Sequence, residues 1–237
     1  MGNEDGTKEQ LINGLVEMRQ QITNLGISET RRKRAEEQLQ QSYERLRRLL
    51  EETANALAST VEMRDPYTAG HQRRAAELAC AIAGKIGLSK EQVNGVRIAT
   101  FIHDIGKIYI PVEILTMPRQ LTEIEYNLVK THPQVGYDVL KEIEFPWPVA
   151  QIVFQHHERI NGCGYPQGLS GKGILLEARI AGVADVVEAM VSHRPYRLAP
   201  GIDKALEKMT QDKGILYDPQ VVDVCLKLFT EEGFKFE

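Results

Sequence analysis

The 237-residue chain has no long apolar run, only three cysteines and no strong excess of either charge. Without a stretch of transmembrane length, a helical membrane span is excluded. Cys80, Cys163 and Cys225 are odd in number, scattered and without a CxxC pair. They argue against a disulfide framework and for a reducing compartment. A formal net charge of −4 gives no general attraction to polymeric nucleic acid or acidic membranes, so any anion binding has to be local. The segment Met1 to Gln10 is polar and acidic, unlike a secretory signal, and Gly6 stands where a myristoylation motif after Gly2 would need Ser or Thr. The expected location is the cytoplasm. No repeat or low-complexity segment is present, and 42% apolar residues suffice for an ordinary core.

Histidine is what the chain has in concentrated form. Five of its six histidines lie between positions 71 and 157, as His71, His103-Asp104, His132 and the adjacent pair His156-His157. Asp185 adds a carboxylate inside an apolar helical run. Imidazole and carboxylate hold borderline first-row metals, and seven candidates are too many for one tetrahedral zinc. The pattern therefore points to a two-metal site, the usual clamp for in-line attack on phosphorus. Phosphoester hydrolysis is the reaction such a site suggests.

The first quarter has a different periodicity. Leu11, Leu15, Met18, Ile22 and Leu25 follow alternating spacings of four and three, and the register resumes at Leu39, Tyr43, Leu46, Leu50 and Leu57. With charged flanks such as Glu17, Arg19, Arg31 and Glu37, this predicts a coiled coil over residues 1–57. Between the two halves the seam falls on Glu29, Arg32 and Glu36, near Gly26, where the helix is expected to loosen or two shorter helices to meet. A parallel homodimer is the expected assembly, and a single solvated helix the alternative. Residues 58–237 read as one all-α domain. Ser89 with Gln92 and Thr122 with Glu125 are capping-box starts, Gly87 suits a helix end, and Gly136 a close helix contact. Prolines from Pro111 to Pro219 exclude long strands, and 162–173 is the most irregular loop.

The motifs His103-Asp104-Ile105-Gly106-Lys107 and His156-His157-Glu158-Arg159-Ile160-Asn161-Gly162-Cys163-Gly164-Tyr165-Pro166 closely resemble the HD-GYP subfamily of the HD-domain metal-dependent phosphohydrolases. The resemblance runs from Asp65-Pro66-Tyr67-Thr68-Ala69-Gly70-His71 through Arg194-Pro195-Tyr196-Arg197 to Tyr217-Asp218-Pro219. It implies a helical bundle around a binuclear or trinuclear centre, usually of iron or manganese. It also implies cleavage of the bacterial second messenger cyclic di-GMP to linear pGpG or to GMP.

Carried over residue by residue, the resemblance assigns His71, His103, Asp104 and Asp185 to one metal, and His132, His156 and His157 to the second, with Asp104 bridging. Two divalent ions against two aspartates and one hydroxide leave about +1 at the centre when the histidines are neutral, which suits a substrate with two phosphodiester charges. Asp104 and Lys107 are the expected catalytic residues. Lys107 would reach a non-bridging phosphate oxygen, or else pair with a carboxylate. Lys107, Tyr165, Arg194 and Arg197 are the expected substrate contacts, Tyr165 against a guanine face and the arginines as guanidinium forks. The arginines could instead cap or bridge a helix end. Asn161 and Glu158 read as supports of the loop, and Arg73 and Arg74 as structural.

Tyr67 stands where family members with a third metal commonly place Glu, so two divalent metal ions are expected, iron or manganese. His193 lies where the family usually has Asp; Met117 and Arg119 stand where Lys and Gly are usual and Glu188 where Asp is common, and these three changes bear on substrate affinity rather than on metal binding. Besides the phosphodiesterase, two readings stay open: a catalytically weak cyclic di-GMP receptor or scaffold, and an HD phosphohydrolase acting on another nucleotide. The coiled coil would connect the domain to an upstream sensor or regulatory protein.

Overall fold

The computed structural model describes residues 4–64, 70–192 and 199–236, and among these all regular elements are helical, with two isolated bridges, Asn161 to Ser170 and Lys213 to Tyr217. The order is α1 (Glu4–Glu62), α2 (His71–Ile86), α3 (Lys90–Phe101), a 3-10 turn (Ile105–Tyr109), α4 (Val112–Leu115), α5 (Glu123–Val129), α6 (His132–Leu140), α7 (Val149–Gln155), a second 3-10 turn (Gly171–Gly173), α8 (Leu176–Val191), α9 (Ile202–Asp212) and α10 (Pro219–Thr230). The chain divides into two compact units, Met1–Glu51 and Glu52–Glu237.

In the first unit α1 runs without interruption where a break near Gly26 was expected. Charged residues on the seam weaken an apolar stripe, but Glu, Arg and Lys are good helix formers and the backbone has no reason to stop. The i,i+4 pairs Glu29–Lys33 at 3.2 Å and Arg32–Glu36 at 3.5 Å span the stretch, and Thr30 Oγ1 donates to the carbonyl of Gly26 at 2.8 Å. Leu15, Met18, Ile22, Leu25, Leu39, Tyr43 and Leu46 of the heptad seam are all exposed on the single chain.

The second unit is built on α2 and α8. Small buried residues on α2 (Ala75, Ala76, Ala79, Ala83) and on α8 (Ala178, Ala181, Gly182, Ala184) let backbones approach closely, while Leu78, Ile82, Ile180, Val183 and Val187 fill the space between them. Val96 of α3, Met209 of α9, and Val221, Val222 and Leu228 of α10 complete the core. Both expected capping boxes are formed, Ser89 with Gln92 and Thr122 with Glu125. Gly87 ends α2 in the left-handed conformation, its N–H bonded to the carbonyls of Ala83 and Gly84. Ala54, Ala58 and Val61, at helical spacing, are buried, so the last turns of α1 belong to this unit.

Two glycines bring the site-bearing backbones together. A Cβ on Gly106 would lie 2.0 Å from the carbonyl oxygen of His132 and 2.6 Å from the backbone nitrogen of Gly136, so the turn Ile105–Tyr109 and the start of α6 touch through bare backbone. A Cβ on Gly136 would in turn lie 2.9 Å from Val153 Cγ1, closer than a side chain tolerates without displacement. Gly106→Ala should therefore act as overpacking against atoms that cannot rotate away. We expect a loss of about 1–3 kcal/mol or more, read as a Tm several degrees lower by calorimetry, together with reduced metal retention because His132 has to move.

Candidate metal centre

Six of the seven expected ligands sit at or just beyond helix termini, and the seventh lies in the middle of α8. His71 opens α2 and His132 opens α6; His103-Asp104 follow the end of α3, and His156-His157 follow α7. Asp185 projects from α8. All are buried except His157, which is partly so. Their ligand atoms gather in overlapping groups: His71, His103 and Asp185; His103, Asp104 and His156; and His132, His156 and His157, with all ligand atoms of a group within 4.8 Å of one another.

Three of the imidazoles are held by one local device. His103 Nδ1 lies 2.6 Å from the carbonyl of Thr100, His132 Nδ1 2.8 Å from that of Val129, and His156 Nδ1 2.6 Å from that of Val153. A carbonyl can only accept, so each Nδ1 carries the proton and each Nε2 offers its lone pair to the centre. His132 Nε2 and His156 Nε2 then face each other at 3.3 Å as two acceptors, which cannot bond to one another. His71 Nε2 is buried against the carboxylate of Asp185, 3.1 Å from Oδ1. Converging lone pairs beside two carboxylates fit a divalent cation and fit little else.

Asp104 lies between the groups. Its Oδ2 is 3.5 Å from His103 Nε2, and its Oδ1 is 3.5 Å from His132 Nε2, so each oxygen addresses a different histidine. Burial opposes the charge on Asp104, yet Lys107, His103 and His132 hold its carboxyl well below the usual range. Asp185 is likewise held low, against its burial, by His103 and His71. Burial pushes His132 down to about 4, and burial with neighbouring histidines pushes His156 and His157 well below 6.5, so all three imidazoles are neutral at physiological pH. His71 is the exception. Burial alone would depress it, but hydrogen bonds and charge from Asp185 and Glu188 raise it to about 9.

Lys107 lies on the 3-10 turn rather than on a continued α-helix, and its ammonium meets Asp104 Oδ2 at 2.6 Å. Tyr165 lies beside His157, ring centroids 4.7 Å apart and 35° between planes. The loop carrying it is held as expected of Glu158 and Asn161: Glu158 accepts from Gln167 N at 2.7 Å and Leu169 N at 2.9 Å, and Asn161 Oδ1 accepts from Cys163 N at 3.1 Å. Arg194, Arg197, His193 and Tyr67 lie outside the described residues.

Other contributors were not foreseen. Glu188 accepts from His71 Nδ1 and is bridged by Arg74, at 2.8 Å from Nε and 2.6 Å from Nη2, and by Ser192 Oγ at 2.6 Å. It supports a candidate ligand, not the substrate side of the site. The signal was available: Glu188 is three residues after Asp185, one turn along the same helix face. Lys130 was also missed; its ammonium stands 4.7 Å from the centroid of Tyr126 and 5.5 Å from that of Tyr165.

A helical domain that aims imidazoles and buried carboxylates at adjacent points has the donor set of a metal-binding domain. Residues 55–221 match the HD domain, and the chain belongs to the HD-domain family, in its HD-GYP branch. It is 40% identical over 218 residues to the cyclic di-GMP phosphodiesterase response regulator RpfG of Xanthomonas campestris pv. campestris, covering 90% of this chain and 56% of that protein. It is 39% identical over 172 residues to a cyclic di-GMP phosphodiesterase of Thermotoga maritima, covering 72% and 47%. The chain spans about half the length of these curated relatives. The fold is similar to that of a cyclic GMP-AMP-specific phosphodiesterase from Vibrio cholerae, with a TM-score of 0.60 at 21% identity over 77% of this chain and 49% of that one.

Because ligation needs His71 neutral, metal uptake should displace its proton wherever the metal-free protein still holds it. Apparent affinity is then expected to rise with pH up to about 9 and level off above it. Calorimetric titration of metal into apoprotein at neutral pH, in buffers of different ionisation enthalpy, should report about one proton released. Glu188→Gln should reduce that release and weaken metal binding by about 10–100-fold.

Proposed function

We propose that the chain is a metal-dependent phosphodiesterase that hydrolyses cyclic di-GMP to linear pGpG or GMP in the bacterial cytoplasm. The observation that carries this reading is the convergence of His71, His103 and Asp185 on one side and His132, His156 and His157 on the other, with the Asp104 carboxylate addressing both. Two divalent ions, iron or manganese, fit this donor set: His71, His103, Asp104 and Asp185 would hold one, and His132, His156 and His157 the other, with Asp104 within reach of both. When bound, such a pair supplies Lewis-acid activation of a phosphodiester and a water acidic enough to attack near neutral pH.

The chain's own residues supply the rest. The Nδ1 carbonyl contacts fix the orientation of three imidazoles before substrate arrives, so little reorganisation is needed at the reacting phosphate. Lys107 is close enough to Asp104 to place a positive charge at the edge of the centre, where it can turn to a non-bridging phosphate oxygen. Tyr165 offers an aromatic surface to a guanine beside His157. Arg194 and Arg197 are the proposed guanidinium contacts to phosphate or base.

Metal-loaded protein incubated with cyclic di-GMP under anaerobic conditions, with products followed by chromatography, should yield linear dinucleotide or GMP. His103→Ala should abolish turnover and lower the metal content. Tight binding with full metal and no turnover would identify a receptor instead. Preferential cleavage of cyclic GMP-AMP, for which the Vibrio cholerae neighbour is named, would move the substrate within the same chemistry.

The exposed heptad seam of α1 supports a parallel homodimer that links the domain to an upstream sensor or regulatory protein. Placing a charge in the seam by Ile22→Lys with Leu46→Lys should convert dimer to monomer in analytical ultracentrifugation. A species that stays the same size in this variant would refute pairing through α1.

A further inference from the structure

Between the end of α1 and the catalytic turn there is one side-chain tie that the chemistry above does not use. Arg64 stands two residues beyond the last residue of α1. Its guanidinium donates from Nη1 to the carbonyl of Ile108 and from Nη2 to the carbonyl of Ile110 at 3.2 Å. These acceptors lie near and just past the end of the turn Ile105–Tyr109, whose third residue is Lys107.

The turn is otherwise lightly held at this end. Ile108 is 46% exposed and Tyr109 68%, so apolar packing does little to fix them, and Ile110 is the first residue after Lys107 to be fully buried. On the inner side, the backbone N–H of Lys107 bonds to the carbonyl of Asp104 at 2.9 Å, and the N–H of Ile110 to the carbonyl of Lys107 at 3.0 Å. The stretch from Asp104 to Ile110 is thus a short strap, anchored by Asp104 in the centre and tied from outside by Arg64.

We infer that Arg64 is a positioning residue for the reaction: it couples the end of α1 to the ammonium of Lys107, and through Lys107 to Asp104. The inference rests on the phosphodiesterase reading for its catalytic consequence, but not for the restraint itself. An arginine suits the task because its planar fork reaches two carbonyls at once, whereas a lysine ammonium on the same stem can satisfy one of them well. Displacing a group that faces the reacting phosphate by about 1 Å can cost as much as about a hundredfold in rate. Buried Ala54, Ala58 and Val61 fix the last turns of α1 within the domain, so a shift of that helix end is transmitted to the tie instead of being absorbed by a loose connection.

Two measurements on the metal-loaded full chain test this. Hydrogen exchange should be faster over residues 105–110 in Arg64→Ala, intermediate in Arg64→Lys, and unchanged in α8 and α10. In cyclic di-GMP hydrolysis, Arg64→Ala should lower kcat by about 10–100-fold with KM and metal content near wild type, and should cost nothing further in a Lys107→Ala background. A merely structural role would lower stability and act additively with Lys107→Ala, and that result would overturn the inference. If Arg64→Ala does not fold, Arg64→Lys carries the same comparison. If the wild-type protein binds metal but cleaves no cyclic di-GMP, the proposed activity falls, and exchange at residues 105–110 decides the inference alone: unchanged exchange refutes it.

Discussion

Several buried lone pairs have to point at one another, and the rest of the domain is arranged around that constraint. His132 Nε2 and His156 Nε2 are 3.3 Å apart, and the carbonyls of Val129 and Val153 leave neither with a proton to share. A buried polar atom left without a partner costs about 1–3 kcal/mol. A cation turns this local cost into a gain, which couples metal affinity to folding. The helix ends follow from the same requirement. A side chain placed at a terminus can enter a shared cavity without the following turn getting in its way, and four of the five elements that bear candidate ligands deliver them there.

The tight approach of these ends explains the glycines better than any general need for flexibility. Gly106 meets the backbone of His132; a Cβ on Gly182 would lie 2.6 Å from the carbonyl oxygen of His156, and one on Gly164 would lie 2.4–2.5 Å from the backbone of Arg159 and Glu158. Each is a place where a segment carrying or supporting the site passes another with no room for a methyl group. The HD and GYP motifs lie in the segments that follow α3 and α7, and their glycines let those segments pass neighbouring backbone closely. Gly162, at φ 83°, is the different case, in which the backbone itself needs the left-handed region.

How much could be read from the sequence depended on the range of the signal. The capping boxes at Ser89 and Thr122 and the left-handed cap at Gly87 are local devices, and each appears where its residues stand. The candidate ligands were legible because histidine and aspartate are costly to bury in such numbers without a cation. The continuity of α1 is not legible in the heptad pattern, because the apolar seam breaks where the helix does not: Glu29, Arg32, Lys33 and Glu36 support the backbone through their own i,i+4 pairs. The Nδ1 acceptors were invisible for another reason. Thr100, Val129 and Val153 act through their carbonyls, so their side chains carry no trace of it. Only the common offset of three residues, evident once the helix ends are known, reveals the pattern.

Glu188 shows how one helix controls both nitrogens of a candidate ligand. Asp185 faces His71 Nε2, and Glu188, one turn later on α8, accepts from Nδ1. With nothing else nearby, two carboxylates around one imidazole would hold it permanently protonated and repel each other. Arg74 and Ser192 moderate this by taking the other oxygen of Glu188, so its negative charge is partly engaged outside the centre, although His71 in the metal-free protein still keeps its proton up to about 9. Burial would raise the Glu188 carboxyl, but His71, Ser192 and Arg74 together hold it below its ordinary value and keep it an acceptor. When a cation binds, the Nε2 proton of His71 would be released to solvent while its Nδ1–H stays on Glu188. Arg74, three residues after His71 on the same helix, is therefore part of what makes His71 a usable ligand, although it has no place in the metal-binding motif.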